Sequence, residues 1–395
     1  MSGSRDQTLK EHFLLAPEVV FLNHGSYGAI PRPVMEIYQD WQRQLERQPV
    51  EFINDALPAH LATALGILAD YLGAEDGDLV YVPNATFGMN VVAQSLALGP
   101  GDEVLTTNHE YGAIDNLWAW VCSRRGARYV RRPLPFSADA DLDVIEWLWA
   151  GLTPRTRVVV VSHITSPTAL HVPLEALCAR ARAAGVLSVI DGAHAPGQIP
   201  LVLSRIDADF YVGNCHKWLC SPKGAGFLYA RPTVHTLLEP LVIGWGAGEN
   251  RRASFGSDFL NRLQWLGTTD PSAYLTVPAA IRFQEEHDWQ VVRDRCHALL
   301  RGALDDIEDI TDIRSPYAGR DALYAQMAVA ELPAELDPAA LKRRLYDEFA
   351  IEVPVISWQG RLFVRISIQG YNGAGDIDAL LAAVRACLPG RELRS

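Results

Sequence analysis

The chain has 395 residues, of which 49% are hydrophobic and 21% are charged, a composition typical of a globular protein large enough for two domains. Its formal net charge of -12 argues against binding to nucleic acids or to anionic membranes, because both attract basic surfaces. Any anionic ligand must therefore be bound by local dipoles and by a few well-placed cations.

Cysteine and histidine spacing indicates neither a disulfide framework nor a metal site. The six cysteines are scattered without a Cys-x-x-Cys pair, and no His-Glu-x-x-His motif occurs. The first 18 residues lack the apolar core of a signal peptide, and no apolar run approaches the ~20 residues that span a bilayer. These features predict a cytoplasmic protein with reduced thiols and no bound metal.

Two predicted strands near the N-terminus are each followed by a segment that can line a site. Residues 19–22 form a short strand that leads into the turn-rich loop 23–28. Residues 79–82 form the second strand, and Ala85 and Thr86 lie between it and a helix. Small and hydroxyl residues before a helix start create an anion site, because free amides and the helix dipole point there. Dinucleotide and nucleoside triphosphate motifs are absent, which indicates a smaller phosphate ligand.

The middle of the chain predicts a doubly wound parallel sheet. Residues 157–161 are a nearly continuous β-branched run, which is typical of a strand buried on both faces. Further strands are predicted at 187–190 and at 209–213, with helices between the strands. Alternation of strands and helices with short links favours parallel strands with helices on both faces.

Several polar side chains follow the carboxyl ends of these predicted strands, where open α/β sheets bind their ligands. They are Thr86, Tyr111, Ser166, Asp191, His194 and Lys217. Any one of them could be structural, but six at a single sheet edge are much harder to explain without a ligand.

Lys217 follows a buried strand and lies between His216 and Trp218. A desolvated lysine has a lowered pKa, and its neutral amine is a nucleophile or a base. The alternative is a lysine whose long side chain simply reaches the surface.

The C-terminal part predicts a smaller α/β domain. A long helix is expected over 278–304, and a strand of alternating pattern over 361–368. This alternation places Arg361 and Arg365 on one face with Phe363. An arginine here is either an exposed side chain or a bidentate clamp for a carboxylate.

A lysine, a strand-end aspartate, a stacking aromatic and an anion pocket together fit the chemistry of pyridoxal phosphate (PLP). The motifs that carry this interpretation are residues 21–28, 162–163, 191–197, 209–211, 216–219 and 224–228. They resemble the aminotransferase class V branch of the fold-type I PLP enzymes, and within it the isopenicillin N epimerase-like proteins. The resemblance covers most of the chain.

The resemblance implies a role for each residue around the cofactor ring. Lys217 would form the Schiff base, and Asp191 would pair with the pyridine nitrogen. His194 would contact the ring hydroxyl with Ser166 nearby, and Tyr111 would stack on the ring.

The remaining implied contacts concern the phosphate, the partner subunit and the substrate. The phosphate positions are Ala85, Thr86 and His216, and Asn214 departs from the small hydroxyl residue usual in the family. Gly267 and Thr268 would reach the phosphate of the other subunit of a homodimer. Arg365 would bind the α-carboxylate of an amino-acid substrate, and Tyr27 and His24 would also line the substrate site.

The same resemblance implies the architecture. It predicts a large domain with a mostly parallel seven-stranded sheet between helices, and a smaller C-terminal α/β domain. The expected boundaries are 1–20 for an N-terminal arm associated with the small domain, 21–275 for the large domain and 276–395 for the small domain.

The reaction stays open at the level of sequence. Lys217 is the natural base for removal of the α-proton. Return of a proton on the other face, from Tyr27, His24 or Tyr111, gives an epimerase or racemase. Loss of a β-sulfur group gives a C–S lyase, and transfer to a keto acid gives an aminotransferase. A persulfide-forming desulfurase is disfavoured because residues 345–359 contain no cysteine. A silent cofactor-binding regulatory domain has no supporting motif.

Overall fold

The computed structural model describes residues 9–75, 77–138, 143–249 and 254–388. The strands are β1 (Val20–Phe21), β2 (Leu79–Val82), β3 (Glu103–Thr107), β4 (Arg128–Arg132), β5 (Thr156–Ser162), β6 (Leu187–Gly192), β7 (Phe210–Asn214), β8 (Gly226–Ala230), β9 (Met327–Leu332), β10 (Ile351–Glu352), β11 (Val355–Trp358) and β12 (Arg361–Ser367). The α-helices are α1 (His24–Tyr27), α2 (Arg32–Arg47), α3 (Pro49–Glu51), α4 (Leu57–Leu72), α5 (Ala85–Ser95), α6 (Gly112–Arg125), α7 (Val144–Trp149), α8 (Leu174–Ala183), α9 (Leu203–Ile206), α10 (Asp258–Leu263), α11 (Ser272–Leu275), α12 (Val277–Glu286), α13 (Trp289–Thr311), α14 (Pro338–Asp347) and α15 (Ala374–Cys387).

The larger domain is built on a seven-stranded sheet with the order β2-β8-β7-β6-β5-β3-β4. β8 runs antiparallel to both of its neighbours, and the other strand pairs are parallel. The fold class predicted from the sequence is therefore confirmed. The order reverses between β5 and β3, so the carboxyl ends of the parallel strands open a crevice there, where such sheets bind ligands.

Apolar packing covers both faces of this sheet. In β5, Val158 and Val160 belong to the core beneath α5 and α6, whereas Val159 and Val161 belong to the core on the opposite face. Each of these valines is at most 1% exposed. Burial on both faces explains why β5 reads as a continuous β-branched run, and it holds the strand ends in fixed positions.

One helical stretch, Pro49–Leu72, is long and apolar enough by length and composition to cross a membrane, which the sequence analysis did not expect. Its α4 portion buries Leu57, Leu61, Leu65 and Leu68 in the core of the larger domain. A core helix of a globular protein has this same composition.

The smaller domain contains an antiparallel sheet with the order β11-β12-β9, against which α13 packs. β1 pairs in parallel with β10, and Asn23 bridges to Ser367 of β12. The N-terminal segment thus lies against the C-terminal part of the chain, although the boundaries 1–20, 21–275 and 276–395 stay predictions.

The single long helix predicted over 278–304 is wrong. The structure has two helices, α12 and α13, with a break between Glu286 and Trp289. Asp288 adopts a left-handed conformation with φ 45°, which no helix interior accommodates. An aspartate tolerates this conformation better than most residues, so the helical periodicity of the flanking sequence hides the break.

Candidate active site

The strand ends surround a cavity of about 320 Å³ at the predicted edge of the sheet. The predicted site residues that line it are Tyr27, Ala85, Thr86, Tyr111, Ser166, Asp191, His194, His216 and Lys217. The cavity thus lies where the ends of β2, β3, β5, β6 and β7 meet the segment that follows β1. Within the described residues, no group of three or more histidine, cysteine, aspartate or glutamate side chains could hold a metal ion.

Lys217 and His194 are in direct contact inside the cavity. The Nζ atom of Lys217 lies 3.2 Å from Nε2 of His194, and the indole Nε1 of Trp218 donates to Nδ1 of His194 at 3.3 Å. Because an indole nitrogen can only donate, Nδ1 must be the acceptor and Nε2 must carry the ring hydrogen. His194 therefore presents an N–H group to Lys217, and burial together with the charge of Lys217 holds the pKa of His194 well below its usual value.

The amine of Lys217 is prepared for nucleophilic and base chemistry. Burial lowers the pKa of Lys217 to about 8, although the charge of Asp191 opposes the shift and that of Arg365 adds to it. The N–H of His194 also favours the neutral amine, which accepts that hydrogen. The alternative of a lysine whose side chain simply reaches the surface is thus disfavoured by the contact with His194 as well as by burial.

We expect covalent attachment of PLP to the cofactor-free protein to depend on pH as this pKa requires. Only the neutral amine attacks a carbonyl, so the rate should rise about tenfold per pH unit below pH 8 and level off above it. Stopped-flow absorbance between pH 6 and 10 measures this rate. Nα-acetyl-lysine is the control, and its rate should keep rising towards pH 10. A protein profile that follows this control would show that Lys217 is not desolvated.

Asp191 lies at the end of β6, and one of its two carboxylate oxygens already accepts a hydrogen bond. Its Oδ1 accepts the backbone N–H of Ala193 at 2.9 Å, and Oδ2 has no hydrogen-bond partner in the described part of the chain. Burial raises the pKa of Asp191, while the Ala193 N–H and the charge of Lys217 oppose the shift. A cationic N–H donor in the cavity would satisfy the second oxygen, as a protonated pyridine nitrogen does.

The anion-binding end of the cavity lies at the start of α5, and it differs from the prediction. The Ala85 N–H donates to Oδ1 of Asn214 at 2.8 Å, and the Phe87 N–H donates to the side chain of Asn84. Ala85 therefore forms the wall without a free amide, and its position at the phosphate stays a prediction. The Thr86 N–H has no acceptor among the described residues, so this amide and the helix dipole face the cavity.

His216 is also limited as a donor. Its Nδ1 lies 3.2 Å from the carbonyl oxygen of Ala225, which can only accept, so Nδ1 carries the hydrogen and Nε2 is an acceptor in the neutral ring. Burial and the charge of Lys217 lower the pKa of His216 to about 4. A neutral His216 cannot donate to a phosphate oxygen through Nε2.

Arg365 lies beside the cavity in β12 and is 6% exposed. Its Nη1 donates to the carbonyl oxygen of Ser166 at 2.7 Å and its Nη2 to the hydroxyl of Ser26 at 3.2 Å, while Nε has no partner. No carboxylate pairs with it among the described residues, and burial lowers its pKa to about 10. A buried guanidinium without a counter-ion is a site for an anionic ligand.

Besides Arg365, three predicted residues do not line the cavity. His24 is fully buried behind it, where Nδ1 lies 3.0 Å from the Tyr371 hydroxyl and Nε2 lies 3.0 Å from the Lys217 carbonyl oxygen. Because both ring nitrogens are engaged, the predicted substrate contact of His24 is wrong, and this residue supports the Lys217 turn instead. Gly267 lines a neighbouring cavity of about 200 Å³ that shares Pro83 with the main one, and Thr268 lines neither.

Two residues at the site were missed. Lys223 lines the cavity six residues after Lys217. Glu110 is buried behind Tyr111, where its carboxylate accepts from the Ser162 N–H, the Ser162 hydroxyl and the Thr107 hydroxyl. Burial raises the pKa of Glu110 to about 7. Neither residue has a signal in the sequence pattern, since both roles depend on contacts between separate strands.

The residues present fit PLP. A lysine with a lowered pKa, a strand-end carboxylate with a free oxygen, an aromatic at the cavity wall and a helix N-terminus surround one space. In the same cavity His194 offers an N–H to a ring oxygen once Lys217 is engaged.

Comparison with known proteins places this geometry in a family. The model of the family described as aminotransferase class-V matches residues 30–380. Isopenicillin N epimerase of Amycolatopsis lactamdurans is 35% identical over 387 residues, which cover 95% of this chain and 97% of that protein. A probable chloroplastic L-cysteine desulfhydrase of Arabidopsis thaliana is 27% identical over 405 residues, with coverages of 93% and 82%.

Solved structures share the fold. A variant of the protein C-DES, with glycine covalently linked to its PLP cofactor, superposes with a TM-score of 0.83 at 22% identity, covering 96% of this chain and 99% of that one. The chain belongs to the aminotransferase class V family, and it is a PLP-dependent enzyme.

Proposed function

We propose that this enzyme is an epimerase that inverts the α-carbon of an amino acid or of a substrate that contains one, as isopenicillin N does. The observation that carries the proposal is the 35% identity to isopenicillin N epimerase over nearly the whole of both chains. The site supports the proposal, because the cavity holds a base and two further proton donors, and Arg365 beside it can serve as the counter-ion for the substrate.

Lys217 acts as the base that removes the α-proton. When bound, PLP supplies an electron sink for the pair of electrons left at the α-carbon. With a pKa of about 8, roughly a tenth of the amine of Lys217 is neutral at pH 7, far more than for an ordinary lysine, and the neutral amine is the state that accepts a proton. His194 positions this amine through its Nε2 hydrogen whenever the amine is free.

Arg365 binds the α-carboxylate of the substrate. The buried guanidinium has no carboxylate partner in the described chain, and its neighbours Ser26 and Ser166 both line the cavity. Binding there fixes which face of the α-carbon meets Lys217, because it removes free rotation of the bound amino acid.

Inversion needs a second acid on the opposite face. With His24 removed from the candidates, Tyr111 and Tyr27 remain, and both line the cavity with exposed side chains. Each of these tyrosines carries a phenol O–H, which is a donor that can return a proton to the α-carbon.

A C–S lyase that eliminates a β-sulfur substituent is the second candidate. The desulfhydrase relative favours it, and elimination needs the same base and the same carboxylate clamp. All six cysteines are buried and none of them lines the cavity, so no thiol is placed to accept sulfur as a persulfide. Transamination is a further alternative within the family.

Incubation in D₂O separates epimerisation from elimination. The purified holoenzyme is offered isopenicillin N, a panel of free amino acids and S-substituted cysteines. An epimerase incorporates deuterium at the α-carbon and produces both stereoisomers without pyruvate, whereas a lyase releases pyruvate and ammonia. Pyruvate from an S-substituted cysteine, with no α-deuterated stereoisomers of any substrate, would overturn the proposal.

We also propose a homodimer with shared active sites. Gly267 lies in a cavity next to the start of α5 and does not line the main cavity, which is compatible with service to a second subunit. We expect a sedimentation mass of about twice 43.5 kDa for the active enzyme. A fully active species of 43.5 kDa would exclude shared sites.

A further inference from the structure

A second lysine, Lys223, lies in the loop between β7 and β8 and lines the same cavity as Lys217. The residue is exposed as a whole, but its Nζ donates to the carbonyl oxygen of Gly28 at 3.1 Å. An ammonium group has three hydrogens, so this bond anchors the side chain and leaves two donors. The proposed mechanism gives this cation no role.

Lys223 stands at the His216 end of the cavity. The neighbour Gly224 lines both the main cavity and the smaller one beside the start of α5. Because Lys223 lines the main cavity directly before Gly224, it lies beside the end of the cavity at the start of α5.

Within one subunit, that end is short of donors for a phosphate. The Ala85 amide is committed to Asn214, and the neutral ring of His216 presents an acceptor at Nε2. Among the residues that the structure describes, Thr86 alone supplies a free amide at the start of α5. A phosphate monoester carries about -1.5 to -2 charges at pH 7, so these groups leave most of its charge without a cation. The net charge of -12 makes the surroundings less favourable still.

We propose that Lys223 is the cation that binds the phosphate of PLP in this enzyme. Burial lowers the pKa of Lys223 from its ordinary value, but a phosphate beside the amine favours the charged form. His216, with a pKa of about 4, would first have to gain a proton. Gly28 packs directly against the His216 carbonyl. The hydrogen bond from Lys223 to Gly28 therefore also connects the segment after β1 with the turn that carries Lys217. The inference depends only on the binding of PLP, so it holds whether the enzyme is an epimerase or a lyase.

A comparison of the binding of PLP with that of pyridoxal tests the proposal. Protein freed of PLP is titrated at pH 7.5 with PLP and with pyridoxal, which lacks the phosphate, in the wild type, Lys223→Met and Lys223→Arg. Loss of one charged hydrogen bond predicts that Lys223→Met weakens PLP binding by about 10- to 100-fold. Pyridoxal binding should change less than about twofold, and Lys223→Arg should restore most of the affinity for PLP because the charge is kept.

Two results would overturn the proposal. Equal weakening of PLP and pyridoxal in Lys223→Met would show that the lysine only holds the loop at Gly28. Unchanged PLP affinity together with weaker binding of a carboxylate substrate would assign the charge to the substrate instead. Circular dichroism of each variant confirms that the fold is retained, and both titrations read binding without any measurement of turnover.

Discussion

Replacing Lys217 with alanine is expected to abolish covalent attachment of PLP and to lower turnover by at least about 10³-fold. The substitution removes both the amine that attaches the cofactor and the base that takes the α-proton, and a positioned base alone contributes about 10²- to 10⁴-fold. Borohydride treatment of the cofactor-saturated wild type, followed by mass spectrometry of peptides, should place the label on residue 217. The same treatment of Lys217→Ala should leave every peptide unlabelled.

Lys223→Met is the matched control, because it removes the other lysine of the same cavity. At saturating PLP this variant should still be labelled at residue 217. Addition of a small primary amine should recover part of the activity of Lys217→Ala, since the cavity then has room for an external base. Label on any lysine other than Lys217 in the wild type would contradict the assignment of the whole site.

The catalytic edge of the sheet was predictable because it follows from local patterns. Buried strands such as β5 can be recognised by their β-branched runs, and the carboxyl ends of parallel strands lie at the same edge of the sheet. Asp191 lies at the end of β6, and Tyr111 and Lys217 come within four residues of the ends of β3 and β7, so the topology alone brings them together. The resemblance to the class V family then assigned their chemistry.

Contacts between distant segments were not predictable, since they depend on side-chain placement across more than a hundred residues. His24 matched a family motif, yet its ring is buried between Tyr371 and the Lys217 carbonyl. The Ala85 amide is occupied by a side chain 129 residues away. Lys223 gains its place at the cavity through Gly28, which belongs to the loop after β1. In each of these cases the structure differs from the prediction because a polar group already has a hydrogen-bond partner within the folded chain.

The second large effect is expected at Asp191. The Asp191→Asn variant should bind PLP covalently through Lys217, yet remove the α-proton of a substrate about 10²- to 10³-fold more slowly, by analogy with the loss of one preorganised electrostatic contact. Asparagine keeps the size of the side chain and the oxygen that accepts the Ala193 N–H. It lacks the negative charge that keeps a proton on the pyridine nitrogen, so the ring withdraws electrons less strongly. Deuterium exchange at the α-carbon measures this step directly.

Asp209→Asn serves as the control for loss of a buried carboxylate elsewhere in the same sheet. Asp209 is 3% exposed, pairs with Arg231 and accepts from Ser188 far from the cavity, so its replacement should lower stability and leave α-proton exchange nearly unchanged. In Asp191→Asn the pKa of Lys217 should also fall below about 8, because the charge of Asp191 is the influence that raises it. The pH at which cofactor attachment levels off should then move to a lower value. Exchange at the wild-type rate with an unshifted pH profile would mean that Asp191 does not face the ring nitrogen, and that the cavity holds the cofactor in another orientation.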